Sequence, residues 1–255
     1  DIPTYVHLPL IVKPDGTKLS KRHGDASFED LLSMGYLTEA IINYVALLGW
    51  SPPDNREIFS LEELERVFAI SGISKSPSAF DFGKLNWFNA EYIRRMSLEE
   101  FHKRAAPYYK GVADSKGVDL VKVSRILRQR IEVLAEIPQK IDFIDRLPEY
   151  DIGLYIHKKM KTDLEVSLES LRAAVPALEG LAGWNEQAIH DCLVGKAAEM
   201  GIKNGQMLWP VRTAITGKDV TPGGAIEIAD LLGKEETLRR IRIGIEKLGN
   251  AIQEG

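Results

Sequence analysis

Hydrophobic positions recur at helical spacing through most of this chain and read as a strand only near its start. Tyr5 to Val12 is an apolar run leading into Lys13-Pro14-Asp15-Gly16. It predicts a strand entering a turn, because proline presets φ and glycine tolerates positive φ. Everything after Ser27 reads as helix. Thr38 is placed to cap a helix with Ala40, Ile41, Tyr44, Val45 and Leu48 on one face, stopped at Gly49 ahead of Pro52 and Pro53. Ser60 with Glu63, and Ser97 with Glu100, have capping-box spacing, in which side chain and backbone satisfy each other's orphan donors. Ser76-Pro77 has the form of an N-cap followed by proline at the first helical position. Further helices are predicted over 119–136, 138–147, 185–200, 206–216, 222–232 and 235–252, with Pro210 kinking the fourth. The last carries Leu238, Ile241, Ile245, Leu248 and Ile252, two heptads only, so it should pack onto its own domain rather than form a coiled coil.

Composition narrows the class. Of 255 residues, 44% are hydrophobic and 27% charged, which excludes long disorder and collagen-like chains. One cysteine, Cys192, rules out an intrachain disulfide and a four-cysteine zinc site and fits a reducing cytoplasm. No apolar run approaches the roughly 18 residues of a membrane span, and the opening Asp1-Ile2-Pro3-Thr4 lacks both a signal-peptide pattern and an initiator Met, so a fragment is expected. The net charge is −4, unevenly spread: 54–66 sums to −3, whereas 119–130 and 196–218 each sum to +3. Residues 1–26 have no room for a core of their own, and the turn-rich stretch from Pro107 to Gly117 marks a second border. The expected architecture is therefore mainly α, divided into 1–26, 27–110 and 111–255.

Three segments could carry chemistry. Lys18-Leu19-Ser20-Lys21-Arg22 crowds like charges that repel one another and are poised to meet a polyanion such as a triphosphate. Taken alone, it fits a solvated hairpin turn as well. On the basic helix, Lys122, Arg125 and Arg128 share a face at i, i+3 and i+6, and Arg130 lies about 200° around from Arg128. Val123, Ile126, Leu127, Ile131 and Leu134 form its apolar side; a solvated basic face is the plain alternative. Trp209, Pro210 and Arg212 sit on one segment, where the aromatic could stack an unpaired base or simply fill the core. His7, His102, His157 and His190 have no metal-like spacing, and Cys192 beside His190 reads as packing.

These residues, taken in order, resemble a known family. Lys18 to Arg22 is similar to the ATP-binding signature loop of class I aminoacyl-tRNA synthetases, in the variant of the bacterial-type glutamyl-tRNA synthetase, with Leu19 and Arg22 in place of the Met and final Ser of the wider pattern. Ser74 to Asp81 and Lys84 to Asn89 resemble that family's tRNA stem-contact region, and Gly205 to Arg212 with Thr221-Pro222-Gly223 its anticodon-binding end; Gly224 stands where many relatives carry a bulky apolar residue. The His-x-Gly-His-type motif and the parallel sheet that precede the loop in this family are missing here. The resemblance thus implies a C-terminal half: an edge of the catalytic domain (1–26), a helical stem-contact domain and an all-helical anticodon-binding domain.

What the family does is implied in the same way. ATP activates glutamate, with Mg2+ expected, and the product is transferred to tRNA(Glu); no zinc site, no membrane and a monomeric, cytoplasmic protein are expected. Lys21 is matched to the leaving pyrophosphate, with Lys18, Ser20 and Arg22 as further ATP contacts; Ser20 could donate to a phosphate or cap the loop. Arg128, Arg130, Trp209, Arg212, Thr221 and Pro222 are matched to the tRNA, Arg130 to the third anticodon base, where an arginine accompanies discrimination of tRNA(Glu) from tRNA(Gln). The fragment alone is expected to bind tRNA without catalysing. Two rivals remain: a glutaminyl-type synthetase, whose anticodon end resembles β-barrels in that family, and a non-catalytic helical interaction module.

Overall fold

Lys13 N–H meets the Thr17 carbonyl at 2.7 Å and Gly16 takes φ +82°, so the predicted turn forms. The computed structural model describes Pro3 and residues 5–19, 27–111 and 117–254. Only Ile11–Val12 (β1) of the apolar run becomes strand, because its parallel partner, Ser78–Ala79 (β2), is itself two residues long. β2 occupies the place where Ser76-Pro77 was expected to open a helix. The helix begins later, at Phe82, where the Asp81 carboxylate accepts from Gly83 N–H (2.7 Å) and Lys84 N–H (3.3 Å).

The chain gathers into two compact units: Asp1–Lys103 with Arg128–Ile137, and Arg104–Leu127 with Pro138–Gly255. The first contains α1 (Phe28–Ser33), α2 (Thr38–Gly49), α3 (Leu61–Val67) and α4 (Phe82–Arg95). Leu31, Ile41, Tyr44, Leu85 and Phe88 form its core, and the Tyr44 hydroxyl accepts from Asp81 N–H while donating to the Asp81 carbonyl. Ser60 forms its capping box with Glu63, and Ser97 accepts from Glu100 N–H ahead of α5 (Leu98–Ala105). Thr38 proves to be the first helical residue, with Leu37 at the cap, and Val45 stays exposed.

The largest departure is the helix expected over 119–136. It ends at Leu127 (α6, Leu120–Leu127), a turn follows, and α7 spans Ile137–Asp145. Tertiary bonds outcompete helix propensity here: Leu134 N–H donates to the Gly35 carbonyl, and Asn89 Nδ2 to the Glu132 carbonyl at 2.5 Å. Arg128 leaves the expected face and its Nη1 donates to the Met96 carbonyl at 2.7 Å. The apolar stripe is therefore divided: Val123 and Leu127 are buried in one unit, Ile131 and Leu134 in the other.

In the second unit α8 (Leu164–Glu179) packs on α12 (Lys234–Glu254), α10 (Asn204–Thr216) and α9 (Glu186–Glu199), and α11 (Ala225–Leu232) on α9 and α10. The sequence pattern had not marked α8, although Asp163 caps it by accepting from Val166 N–H at 2.8 Å. Helix α10 runs through Pro210 without ending.

Candidate nucleic-acid interface

The candidate residues fall into separate patches. Lys18 follows the Pro14–Gly16 turn, pairs with Val12 through an antiparallel bridge, and is exposed. Within that turn the Asp15 carboxylate accepts from the Thr17 hydroxyl (2.6 Å) and N–H (2.9 Å), which together hold its carboxyl below the usual range. Ser20, Lys21 and Arg22 lie outside the described residues. Arg128 and Arg130 belong to the first unit, where Arg130 is exposed on the turn after α6 and Arg128 is half-buried.

Trp209, Arg212, Thr221 and Pro222 come together in the second unit. One helical turn places Arg212 beside Trp209, with its guanidinium carbon 4.1 Å from the ring centroid. The loop from Gly217 to Gly224 then returns to Arg212. Gly217, at φ +62°, ends α10 in the left-handed conformation and accepts no Cβ, which would lie 2.7 Å from the Tyr150 ring. Lys218 pins the loop to α7, donating to the Gln139 carbonyl (2.9 Å) and the Asp142 carboxylate (2.5 Å). Arg212 Nη2 donates to the Asp219 carbonyl at 2.8 Å and Nη1 to Thr221 Oγ1 at 3.3 Å, while the Thr221 hydroxyl donates to the Gly223 carbonyl. Pro222 is buried and lines a small apolar cavity with Ile126, Leu127, Ile141 and Ile228.

Of the five N–H groups a guanidinium offers, these bonds use two, and the Arg212 Nε is buried without a partner among the described residues. Burial draws the Arg212 pKa below the ordinary arginine value, against the pull of Asp219. A partly desolvated cation with spare donors attracts an acceptor-rich anion. Trp209 is half-buried, its Nε1 donates to the Leu154 carbonyl at 2.8 Å, and the His157 ring lies 3.8 Å from its centroid. The spacing of His157 carries no metal signal, and its approach to Trp209 is a tertiary contact with no local sequence signal. The basic helix, by contrast, is engaged within the protein: Lys122 pairs with the buried Asp230 at 2.6 Å and Arg125 with Glu186.

Residues 100–245 match the family model described as an anticodon binding domain. The chain belongs to that family. Residues 1–87 match the catalytic domain of class I (E and Q) tRNA synthetases. The glutamate–tRNA ligase of Clostridium tetani is 58% identical over 254 residues, covering 100% of this chain and 52% of the relative, and that of Clostridium novyi is 54% identical over 99% of this chain and 52% of the relative. A crystal structure of a glutamate tRNA ligase from Elizabethkingia meningosepticum, solved with its amino acid, superposes with a TM-score of 0.80 at 29% identity, covering 97% of this chain and 52% of that one. The resemblance to the bacterial glutamyl-tRNA synthetase family is thus borne out. The chain spans about half the length of the relatives it matches. Within this anticodon-binding family member no helix among the described residues is long and apolar enough to cross a membrane.

Proposed function

We propose that this chain is the tRNA-binding part of a cytoplasmic, monomeric glutamate–tRNA ligase, and that the Trp209–Arg212–Thr221 pocket grips the anticodon of tRNA(Glu). The observation that carries the reading is the Arg212 guanidinium, held against an aromatic ring with three of its five donors unspent. A base edge or phosphate supplies missing acceptors, and an unpaired base that stacks on Trp209 takes the place of His157 or Arg212 against its ring. Thr221 and Pro222 fix the loop that keeps the guanidinium in place. Arg130 reads the third anticodon base with its donor fork and favours tRNA(Glu) over tRNA(Gln), and Arg128 lies near the same RNA.

In the whole enzyme, the glutamate carboxylate attacks the α-phosphorus of ATP and pyrophosphate leaves. Lys21 stabilises the charge gathering on the leaving group, supported by Lys18, Ser20 and Arg22. Mg2+ would accompany the ATP phosphates, which supply most of its ligands; among the described residues no group of three or more His, Cys, Asp and Glu side chains is arranged to hold a metal ion.

Titrating the chain with a tRNA(Glu) transcript at several salt concentrations tests the reading. Binding should weaken with salt, by about 0.7–0.9 per phosphate contact in the log–log slope. Trp209→Ala should cost about 1–3 kcal/mol of affinity, the usual scale for one stacked base. Salt-independent binding, or an unchanged affinity in a folded Trp209→Ala variant, would remove the pocket from the interface.

A further inference from the structure

Beside Trp209 lies a short turn that the pocket does not use. The backbone of His157 and Thr162 closes it through an antiparallel bridge, with N–H to carbonyl distances of 3.1 and 3.3 Å, and the Thr162 hydroxyl accepts from His157 N–H at 3.0 Å. It is seated on the first turn of α10. The Gln206 amide donates to the Lys161 carbonyl at 3.2 Å, and Met160 lies so close to Gly205 that a Cβ there would come within 2.8 Å of its sulfur. His157 Nδ1 accepts from Met160 N–H at 3.2 Å, so the proton of the neutral ring sits on Nε2. The turn therefore has a fixed place next to the Trp209 ring.

Its tip is Lys158, Lys159, Met160 and Lys161, all exposed. Lys203, exposed at the cap of α10, adds a fourth ammonium on the neighbouring segment. None of the four ammonium groups forms an ion pair among the described residues, and the nearest acid in sequence, Asp163, spends its carboxylate on the α8 cap. This is the reverse of α6, where Lys122 and Arg125 of the basic face pair with Asp230 and Glu186. Clustered, unpaired ammonium groups repel one another, and a phosphodiester backbone relieves that repulsion while releasing its own counterions.

Resting on the reading of the pocket given above, we propose that the turn closed by His157 and Thr162 is a second RNA contact, in which Lys158, Lys159, Lys161 and Lys203 hold backbone phosphates of the strand whose base meets Trp209 and Arg212. Lysine suits this task because its ammonium is a point charge that follows a phosphate without demanding a fixed plane. The pocket supplies base contacts and the turn supplies charge.

The test is a fluorescence-anisotropy titration of the chain with an RNA hairpin carrying the anticodon stem and loop of tRNA(Glu), at four or more salt concentrations. Replacing Lys158, Lys159 and Lys161 together by Gln should weaken binding about tenfold and make the log–log salt slope shallower by about 2, at about 0.7 per single-strand phosphate contact. Lys158→Arg with Lys159→Arg should retain both affinity and slope. Lys203→Gln leaves the turn untouched and should lower the slope by about 0.7. Wild-type binding with no change of slope in either Gln variant would overturn the turn as a contact and leave the pocket standing. A wild-type chain that does not bind the RNA hairpin would overturn the pocket reading, and the turn with it.

Discussion

Arg240 is fully buried in the second unit and is the residue its sequence context hid best. Its neighbours Arg239 and Arg242 are exposed, and the spacing of Leu238, Ile241 and Leu248 marks the buried face of α12 without revealing that an arginine shares it. The structure explains the placement: Nη1 donates to the carbonyls of Phe143 (2.7 Å) and Ile215 (2.8 Å), Nη2 to that of Ile144 (3.2 Å), and Nε to Glu236 (2.6 Å). Ile215 lies near the end of α10, so the same guanidinium braces the helix that carries Trp209 and Arg212. Arg240→Met should cost about 3–5 kcal/mol, because it strands three buried carbonyls, while Glu236 keeps its pair with Arg239; urea unfolding measures it, and a loss under 1 kcal/mol would show that the carbonyls find water instead. Hydrogen bonds from Arg239 and then Arg240 bring the Glu236 carboxyl down from its ordinary 4.5 to about 2. A depressed carboxyl lends stability that is complete above the unfolded value and is lost as the pH falls through 4.5 towards 2. The thermal midpoint should therefore fall across that window, and Glu236→Gln should flatten the fall. An identical acid limb in the variant would mean that other carboxylates govern it.

Local signals carried most of the elements, and the exceptions share a physical cause. Capping at Ser60 and Ser97 and the periodicity of α9 and α12 were legible because the bonds that decide them are local. The break after Leu127 was not, because Gly35 and Asn89, far away in sequence, supply the partners that end the helix. Helix α8 lies outside the predicted spans although Leu168, Leu171, Ala174 and Leu178 repeat at three and four, and it accommodates Pro176 in its last turn. Its packing against α12 depends on Gly244. A Cβ there would lie 2.5 Å from the Tyr155 hydroxyl, 3.0 Å from Ala214 Cβ and 3.2 Å from Leu171. Tyr155 cannot retreat easily, being buried and hydrogen-bonded through its hydroxyl to Tyr150 at 2.9 Å. Gly249, on the same helix, has nothing within 4 Å of the corresponding position. Overpacking costs about 1–3 kcal/mol and the helix preference of Ala over Gly returns at most about 1. Gly244→Ala should thus destabilise the chain while Gly249→Ala stabilises it by about 0.5–1 kcal/mol. Two thermal denaturation curves decide the matter, and shifts of the same sign would mean that α12 can move away from α8.

At the scale of the whole molecule, the motif series from Lys18 to Thr221 was readable because it is ordered along the chain, whereas which cations remain unpaired is a property of the folded surface and was not. The family matches divide the chain unevenly. The anticodon-binding match covers residues 100–245, while the catalytic-domain match takes in only residues 1–87, within a chain that spans 52% of its Clostridium tetani relative. Binding RNA needs a charged, pre-formed surface, which the second unit possesses. Activating glutamate needs more: nucleophile, α-phosphorus and leaving group must be held together, and positioning of that kind supplies about 7–11 kcal/mol of a barrier reduction. On the proposed reading, a loop that contributes cations to the pyrophosphate does not replace pockets for adenine, ribose and the amino acid. The isolated 255-residue chain should therefore bind tRNA(Glu) yet show no glutamate-dependent ATP–pyrophosphate exchange above a blank. In the full-length enzyme, Lys21→Ala should slow activation far more than it weakens tRNA binding, because a cation at the leaving group acts where charge develops and not where the anticodon docks. Exchange by the isolated chain, with contaminating ligase excluded, would show that these residues complete an active site by themselves; equal losses of activation and tRNA affinity in the Lys21 variant would move that lysine from the nucleotide to the RNA.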